Sequence, residues 1–421
     1  MKRAVLVICD GLRADLIRPE WTPNLYRLAA EARVFGRHRS VFPSTTRTTS
    51  VSIATGCHPA RHGLEGNAVA LDEGHGLVPV TVKSPDFRDR LRRATGRTLK
   101  VPTLAERLKD DGGSIVFSNV SPGAAHFQDP DGHGYVYHRS GSFGPGLAAI
   151  GGADHLDVSH DAAGDAVMTG RFCAEVLAER RSALAVLWQC EPDHSQHAHP
   201  LGSPAHLDVL AAADANVAKV VDAVDALNAA GDDVLLLAAS DHGHETVERI
   251  IDLEAGLIEA GFKAGPDSTE CVVASQGFSA FVYLSDGARG RLAEIAAWLE
   301  TVDGVGAVYA GDDLAKVGQR NGGALAIAVD AAKSEADNAY GIPGLSAAFA
   351  NRFSMTQAPG LGEHGGLGRY EQNPFLMIRG GGFAAGTHTD AESSAVDLAP
   401  TILDHLGLAA EGMDGRALAR Q

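Results

Sequence analysis

The chain has 421 residues, 45% of them hydrophobic and 21% charged, with a formal net charge of −17. That length exceeds one simple core, so a large α/β domain with an insertion, or two domains, is expected. The acidic balance argues against a basic surface for a nucleic-acid polymer or an anionic membrane; a local metal charge still leaves an anionic small substrate open.

The N-terminal Met1-Lys2-Arg3 followed by apolar Ala4–Cys9 imitates a secretory leader, but the stretch is too short and runs into Asp10. The cysteines are odd in number and form no CxxC pair, and no run approaches the ~20 apolar residues of a membrane span. Reduced thiols and a cytoplasmic protein are therefore expected.

Ala4–Cys9 is expected to be a buried strand. Thr22-Pro23-Asn24 opens a helix through about Val34, with Thr22 as N-cap and Pro23 in the first turn. Thr103–Lys109 predicts a helix, Ser114–Phe117 a strand, Gly164–Arg181 a helix and Leu184–Trp188 a strand. A long helix over Ala205–Ala230 then leads to the strand Val234–Ala239. Such alternation implies a mostly parallel sheet flanked by helices on both faces.

Two stretches break this rhythm. Residues 75–164 are rich in Gly, Pro, Asp and His, and suggest ordered loops over a site. Residues 250–355 carry their own strand and helix signals at Cys271–Leu284, Gly290–Leu299, Gly306–Ala310 and Gly323–Val329. They are expected to form an inserted α+β cap subdomain, leaving 1–249 and 356–421 as the core. Strand Phe375–Ile378 and helix Ala395–Leu406 complete that core.

Acidic residues and histidines cluster behind the predicted strands. Asp10 follows Ala4–Cys9, Asp193 and His197 follow Leu184–Trp188, and Asp241 and His242 follow Val234–Ala239. His364 lies in a glycine-rich loop before Phe375–Ile378. In α/β sheets, chemistry gathers at the carboxyl ends of strands. Dispersed Asp and His residues at such ends are what a fold-built metal site requires. His244 and Glu245 are expected to lie outside the ligand set or on the surface.

A nucleophile is sought among the hydroxyls of Ser44-Thr45-Thr46-Arg47-Thr48-Thr49-Ser50. Hydroxyls need a base or a metal to react at neutral pH. Spacing alone does not choose among them.

Taken in order, these segments resemble the alkaline phosphatase superfamily, in its nucleotide pyrophosphatase/phosphodiesterase and phosphonoacetate hydrolase branch. The resemblance runs through Asp10-Gly11, Thr22-Pro23-Asn24, Pro43-Ser44-Thr45-Thr46, Thr55-Gly56-Cys57-His58-Pro59 and His62-Gly63-Leu64-Glu65-Gly66-Asn67. It continues through Pro192-Asp193 to His197, Asp241-His242-Gly243, Glu363-His364-Gly365 and Asp397-Leu398-Ala399-Pro400. By that resemblance Asp193, His197 and His364 hold one metal ion. Asp10, Asp241 and His242 hold a second, bridged by the nucleophile Thr46, and Asn67 donates to a non-bridging oxygen. Two ions about 4 Å apart clamp an in-line displacement. Zinc is favoured by the Asp/His mixture, although manganese or iron occupies similar ligands.

The resemblance thus implies a zinc-dependent hydrolase of small-molecule phosphodiesters or pyrophosphates acting through a phospho-threonine, compatible with a homodimer. The alternative is a phosphonate hydrolase. That branch places lysines after the first cap helix, whereas Ser114–His138 contains no Lys or Arg. Arg47, directly after Thr46, is a candidate contact for a substrate oxygen, or else a solvent-facing helix residue. Residues 126–146, with His126, His133, His138, Tyr135, Tyr137 and Arg139, are a candidate pocket lining. A mutase with a larger inserted domain and a non-catalytic relative are the competing classes.

Overall fold

The computed structural model describes residues 1–354 and 357–421. Its centre is a ten-stranded sheet. From one edge the order is Thr387–Ser394, Arg33–Arg39, Leu376–Arg379, Asp233–Ala239, Lys2–Cys9, Leu184–Gln189, Ser114–Ser118, Tyr135–Tyr137, Ser142–Gly144 and Ala148–Ile150. The middle of the sheet, from Asp233–Ala239 to Tyr135–Tyr137, is parallel throughout.

Side-chain alternation along Lys2–Cys9 divides the core between the two faces. Val5, Val7 and Cys9 pack with Leu210, Val217, Val220 and Val224 of the long helix Pro204–Ala229. Ala4, Leu6 and Ile8 face Leu398, Ile402 and Leu403 of the helix Leu398–Leu406. A fully buried Leu, Val or Ile contributes roughly 1.5–3 kcal/mol, so helices cover both faces of the central strands. The expected α/β architecture is what the chain adopts.

Register brings the site to one rim. Ile8 pairs with Ala239 and Cys9 with Gln189, so Asp10, Asp241 and the 190–197 segment emerge side by side. Strand Leu376–Arg379 runs antiparallel to Asp233–Ala239, so its leading end, reached from His364, lies at the same rim. Arg33–Arg39 is antiparallel to Leu376–Arg379 in turn, so its exit delivers Thr46 there too.

The first helix is shorter than expected. It spans Pro23–Ala29, and Val34 belongs to the strand Arg33–Arg39. Strand pairing on both sides overrides the helical pattern there. Nor does Thr22 cap this helix with its side chain. Asp214 of the long helix does so instead, accepting from the amides of Asn24 and Leu25 at 3.0 and 2.7 Å.

Beyond the core strands lie two four-stranded sheets. One is antiparallel, ordered Cys271–Ser275, Ser279–Leu284, Leu325–Ala331 and Val305–Ala310, with the helix Leu292–Leu299 against it. The other joins Lys333–Asp337, Pro343–Phe349, Glu245–Ile251 and Gly362–Glu363. Strand Glu245–Ile251 crosses the expected boundary at 249/250. The other expected boundary, at 355/356, lies outside the described residues. Among the described residues no helix is long and apolar enough to cross a membrane.

Candidate metal centre

Seven side chains converge at the rim in two clusters. Asp10, Asp241 and His242 form one; Asp193, His197, His244 and His364 form the other. The six ligands expected from sequence are thus brought together in their expected groups, with His244 added.

In the first cluster all three residues are fully buried. Asp10 accepts at Oδ2 from the Trp188 indole at 2.9 Å, and Asp241 accepts at Oδ1 from the Gly11 amide at 3.2 Å. Their other oxygens, Asp10 Oδ1 and Asp241 Oδ2, have no hydrogen-bond partner. Both face His242 Nε2, at 3.4 and 3.2 Å. His242 Nδ1 donates to the Gly243 carbonyl at 3.0 Å, which leaves the Nε2 lone pair pointing into the cluster. Burial, reinforced by Asp241 and Asp193, pushes the Asp10 carboxyl well above its usual range. Burial also raises Asp241. Two orphaned carboxylate oxygens and an imidazole lone pair, buried together, fit a divalent cation.

The second cluster centres on Asp193 Oδ1. His244 Nε2 lies 2.8 Å away, His197 Nε2 3.4 Å and His364 Nε2 3.5 Å. The one-turn helix Asp193–Gln196 carries Asp193 and His197 to the same side. His364 donates from Nδ1 to the Ser44 carbonyl at 2.7 Å, which aims Nε2 inward. Burial opposes ionisation of Asp193, but His197 and His244 outweigh it and hold that carboxyl well below its usual range. Burial likewise opposes the His197 imidazolium, yet Asp193 and Glu363 push it up to about 9.

His244, expected outside the ligand set or on the surface, is completely buried beside a cluster residue. Its Nε2–H donates to Asp193, and its Nδ1 has no partner. The signal for it was in the sequence, as the second histidine of Asp241-His242-Gly243-His244. Glu245 is buried as well, accepting from the Tyr370 amide at 3.1 Å and from Ser346 Oγ.

Thr46 opens the helix Thr46–Thr55, and its Oγ1 lies 3.2 Å from His242 Nε2. Neighbouring hydroxyls are engaged elsewhere. Ser44 Oγ donates to Glu371 at 2.9 Å, Thr45 Oγ1 to Thr48 Oγ1 at 3.0 Å, and Ser50 Oγ to the Ala124 carbonyl at 2.8 Å. Thr49 Oγ1 meets Ser40 Oγ at 3.1 Å. Thr46 Oγ1 is thus the hydroxyl of this segment whose partner, His242, belongs to the first cluster.

Thr46, Arg47, Asn67, Asp10, Asp193, His197 and His364 line a cavity of about 380 Å³. Asn67 Oδ1 accepts from the Arg47 amide at 3.3 Å. Arg47 is half-buried rather than solvent-facing, with Nε on Ser121 Oγ at 2.7 Å. Burial pushes its guanidinium down to about 10. Of the six side chains singled out in 126–146, only Arg139 lines the cavity. His138 is held by the Val120 carbonyl at 2.8 Å and packs against His126. Tyr135 and Tyr137 flank Arg180 on the short strand Tyr135–Tyr137.

A family model described as type I phosphodiesterase/nucleotide pyrophosphatase matches residues 4–357. Among solved structures the chain is similar to murine ectonucleotide pyrophosphatase/phosphodiesterase 5, as an inactive variant in complex with AMP. The TM-score is 0.69 at 17% identity, covering 99% of this chain and 97% of that one. Another structure of the murine protein gives 0.68 at 18% identity, covering 98% and 97%. The human counterpart gives 0.67 at 17% identity, with the same coverage. At these identities the likeness shows the fold. No curated protein matches the chain.

Proposed function

Since the chain belongs to the type I phosphodiesterase/nucleotide pyrophosphatase family, we propose that it hydrolyses small-molecule phosphodiester or pyrophosphate bonds through a phospho-threonine on Thr46. The observation that carries this reading is Thr46 Oγ1, set 3.2 Å from His242 Nε2 at the mouth of a buried carboxylate pair. The AMP held by the murine structural neighbour is consistent with nucleotide substrates.

Asp193, His197 and His364 would hold one divalent ion, and Asp10, Asp241 and His242 a second, with zinc the favoured metal. Such ions supply charge that lowers the pKa of an attacking hydroxyl and stabilises a leaving oxygen. The chain's own residues do the rest. Thr46 Oγ1 attacks phosphorus, the bond to the leaving oxygen breaks, and water then cleaves the phospho-threonine to return the hydroxyl. The start of the Thr46–Thr55 helix, which the Thr45 side chain does not cap, favours the negative charge of the transferred group. Asn67 spends its carbonyl oxygen on the Arg47 amide, which leaves its NH2 for an equatorial oxygen. Residues 250–355 act as a cap over this site in a cytoplasmic enzyme. Nothing favours the phosphonate reading.

The test is hydrolysis of bis(p-nitrophenyl) phosphate and a nucleotide diester by metal-reconstituted protein, with the metal content measured. Turnover with two bound ions, and a drop of roughly a thousandfold or more in Thr46→Ala, are expected. Unchanged turnover in the variant refutes the nucleophile. A metal-free active protein refutes the mechanism.

A further inference from the structure

The loop that carries His364 takes its shape from side chains. From His364 to Gly368 every backbone amide donates to a side-chain oxygen: in order Glu363 at 3.0 Å, Ser44 at 3.0 Å, Glu371 at 2.7 Å, Asp330 at 2.9 Å and Glu371 again at 2.8 Å. Glu371 is fully buried and lies at the hub. Its Oε2 accepts from the Gly366 amide and the Ser44 hydroxyl, and its Oε1 from the Gly368 amide. Donors on both oxygens call for an ionised carboxylate, which only accepts.

A buried carboxylate also needs a counter-charge. Among the described residues Lys333 is the one cation at ion-pair distance from Glu371, with Nζ 3.2 Å from Oε1 and 3.3 Å from Asp330. Asp330 and Lys333 come from the strands Leu325–Ala331 and Lys333–Asp337, one in each of the two sheets beyond the core. A Cβ on Gly366 would fall 2.6 Å from Asp330, 2.7 Å from Glu371 and 2.8 Å from Lys333, so the loop closes on this trio only because residue 366 has no side chain.

Ser44 connects the trio to the metal centre. Its Oγ joins the Gly365 amide to Glu371, and its carbonyl accepts from His364 Nδ1 at 2.7 Å. The bond that aims His364 Nε2 at the second cluster therefore depends on a turn that Glu371 holds. We propose that Glu371 is a positioning residue for His364, acting through Ser44, with Lys333 as its counter-charge. The two outer sheets then take part in building the metal centre. This rests on the reading of His364 as a metal ligand and adds what keeps that ligand aimed.

The test uses zinc-loaded protein and readouts other than turnover. These are zinc affinity, by competition with a chromophoric chelator, and the Nδ1–H resonance of His364 in protein carrying isotope-labelled histidine, assigned with His364→Asn. Glu371→Gln keeps the shape but turns an NH2 towards donors. It should weaken zinc binding about 10–100-fold and shift the resonance. Lys333→Met should act in the same direction, and Lys333→Arg, which keeps the charge, should retain most of the affinity. Ser44→Ala removes only the connecting hydroxyl and serves if Glu371→Gln does not fold; a loss of about tenfold is expected. Asp214→Ala, which uncaps the helix Pro23–Ala29, controls for general destabilisation and should leave both readouts in place. A folded Glu371→Gln or Ser44→Ala protein with wild-type affinity and an unmoved resonance overturns the proposal, as does an equal loss in Asp214→Ala. If the readouts move as expected but no diester is cleaved, the catalytic reading fails while the positioning role stands.

Discussion

Asp193 Oδ1 receives the Nε2–H of His244 at 2.8 Å, so this histidine orients the carboxylate on which the second candidate cluster centres. Such orienting partners are typically worth about 10–100-fold in metal affinity. His244→Ala should weaken the second cluster's affinity by that order, read by competition with a chromophoric chelator; unchanged affinity would show that Asp193 is held by its helix alone. His62 is among the buried histidines that contribute to acid sensitivity. His62 is fully buried, accepts at Nδ1 from the Leu64 amide at 3.1 Å and meets Ser52 Oγ at 3.0 Å. Its Nδ1 lone pair is occupied, so protonation must break a bond, and burial pushes the imidazole down to about 3. The unfolded chain gains this proton near pH 6.5, so the stability His62 confers is complete above that pH and is lost progressively as pH falls towards 3. His62→Gln should flatten the stability slope between pH 6 and pH 4 by up to ~1.4 kcal/mol per pH unit. Urea melts across that range check it. An unaltered slope would mean that the position contributes nothing to acid lability.

At the scale of elements, two contacts fix how segments meet the rim. Asp214 reaches from the long helix to the first turn of Pro23–Ala29 and accepts from two amides and the Asn24 side chain. Asp214→Ala strands those donors and should cost about 1–2 kcal/mol in chemical denaturation; a loss within error would mean that water replaces the cap. Gly365 follows His364 with φ +108, and a Cβ there would fall 1.8 Å from the Gln276 carbonyl. Gly365→Ala should therefore displace the His364 loop, with a stability loss of roughly 1–3 kcal/mol. It should also weaken metal binding, read by calorimetry, and normal affinity would show that the loop adapts. These elements differ in how much of them was legible beforehand. Ala4–Cys9 and Val234–Ala239 are continuous apolar runs between polar residues, because buried parallel strands need apolar side chains on both faces. Arg33–Arg39 carries three arginines on the outer part of the sheet, and its first residues, Arg33 and Val34, read as the tail of the preceding helix. The cap that Asp214 provides was likewise invisible, since its partners are far apart in the chain.

For the molecule as a whole, the proposed site predicts that the buried acids couple metal to stability with a change of sign. Asp10 and Asp241 are both buried, each with one unpaired oxygen. Under excess chelator, Asp10→Asn should melt at or above the wild-type temperature, because a like-charge repulsion is removed. With saturating zinc the wild type should gain about 2.7 kcal/mol at 100 times Kd, and the variant less. Calorimetric scans in both conditions decide it; a variant less stable in chelator would mean that the acids are not strained without a cation. The amino-acid order by itself determined the strand ends and the acids and histidines placed behind them. Those are local properties, carried by hydrophobic runs and by the residues that bound them. It did not determine that Thr46 Oγ1 meets His242, that His244 is buried against Asp193, or that Arg47 turns to Ser121. Each of these depends on hydrogen bonds and charges between segments far apart in sequence. The parallel register and the reversed strand Leu376–Arg379 bring those segments to one rim, and only after that pairing is it settled which polar atoms are spent and which remain for chemistry.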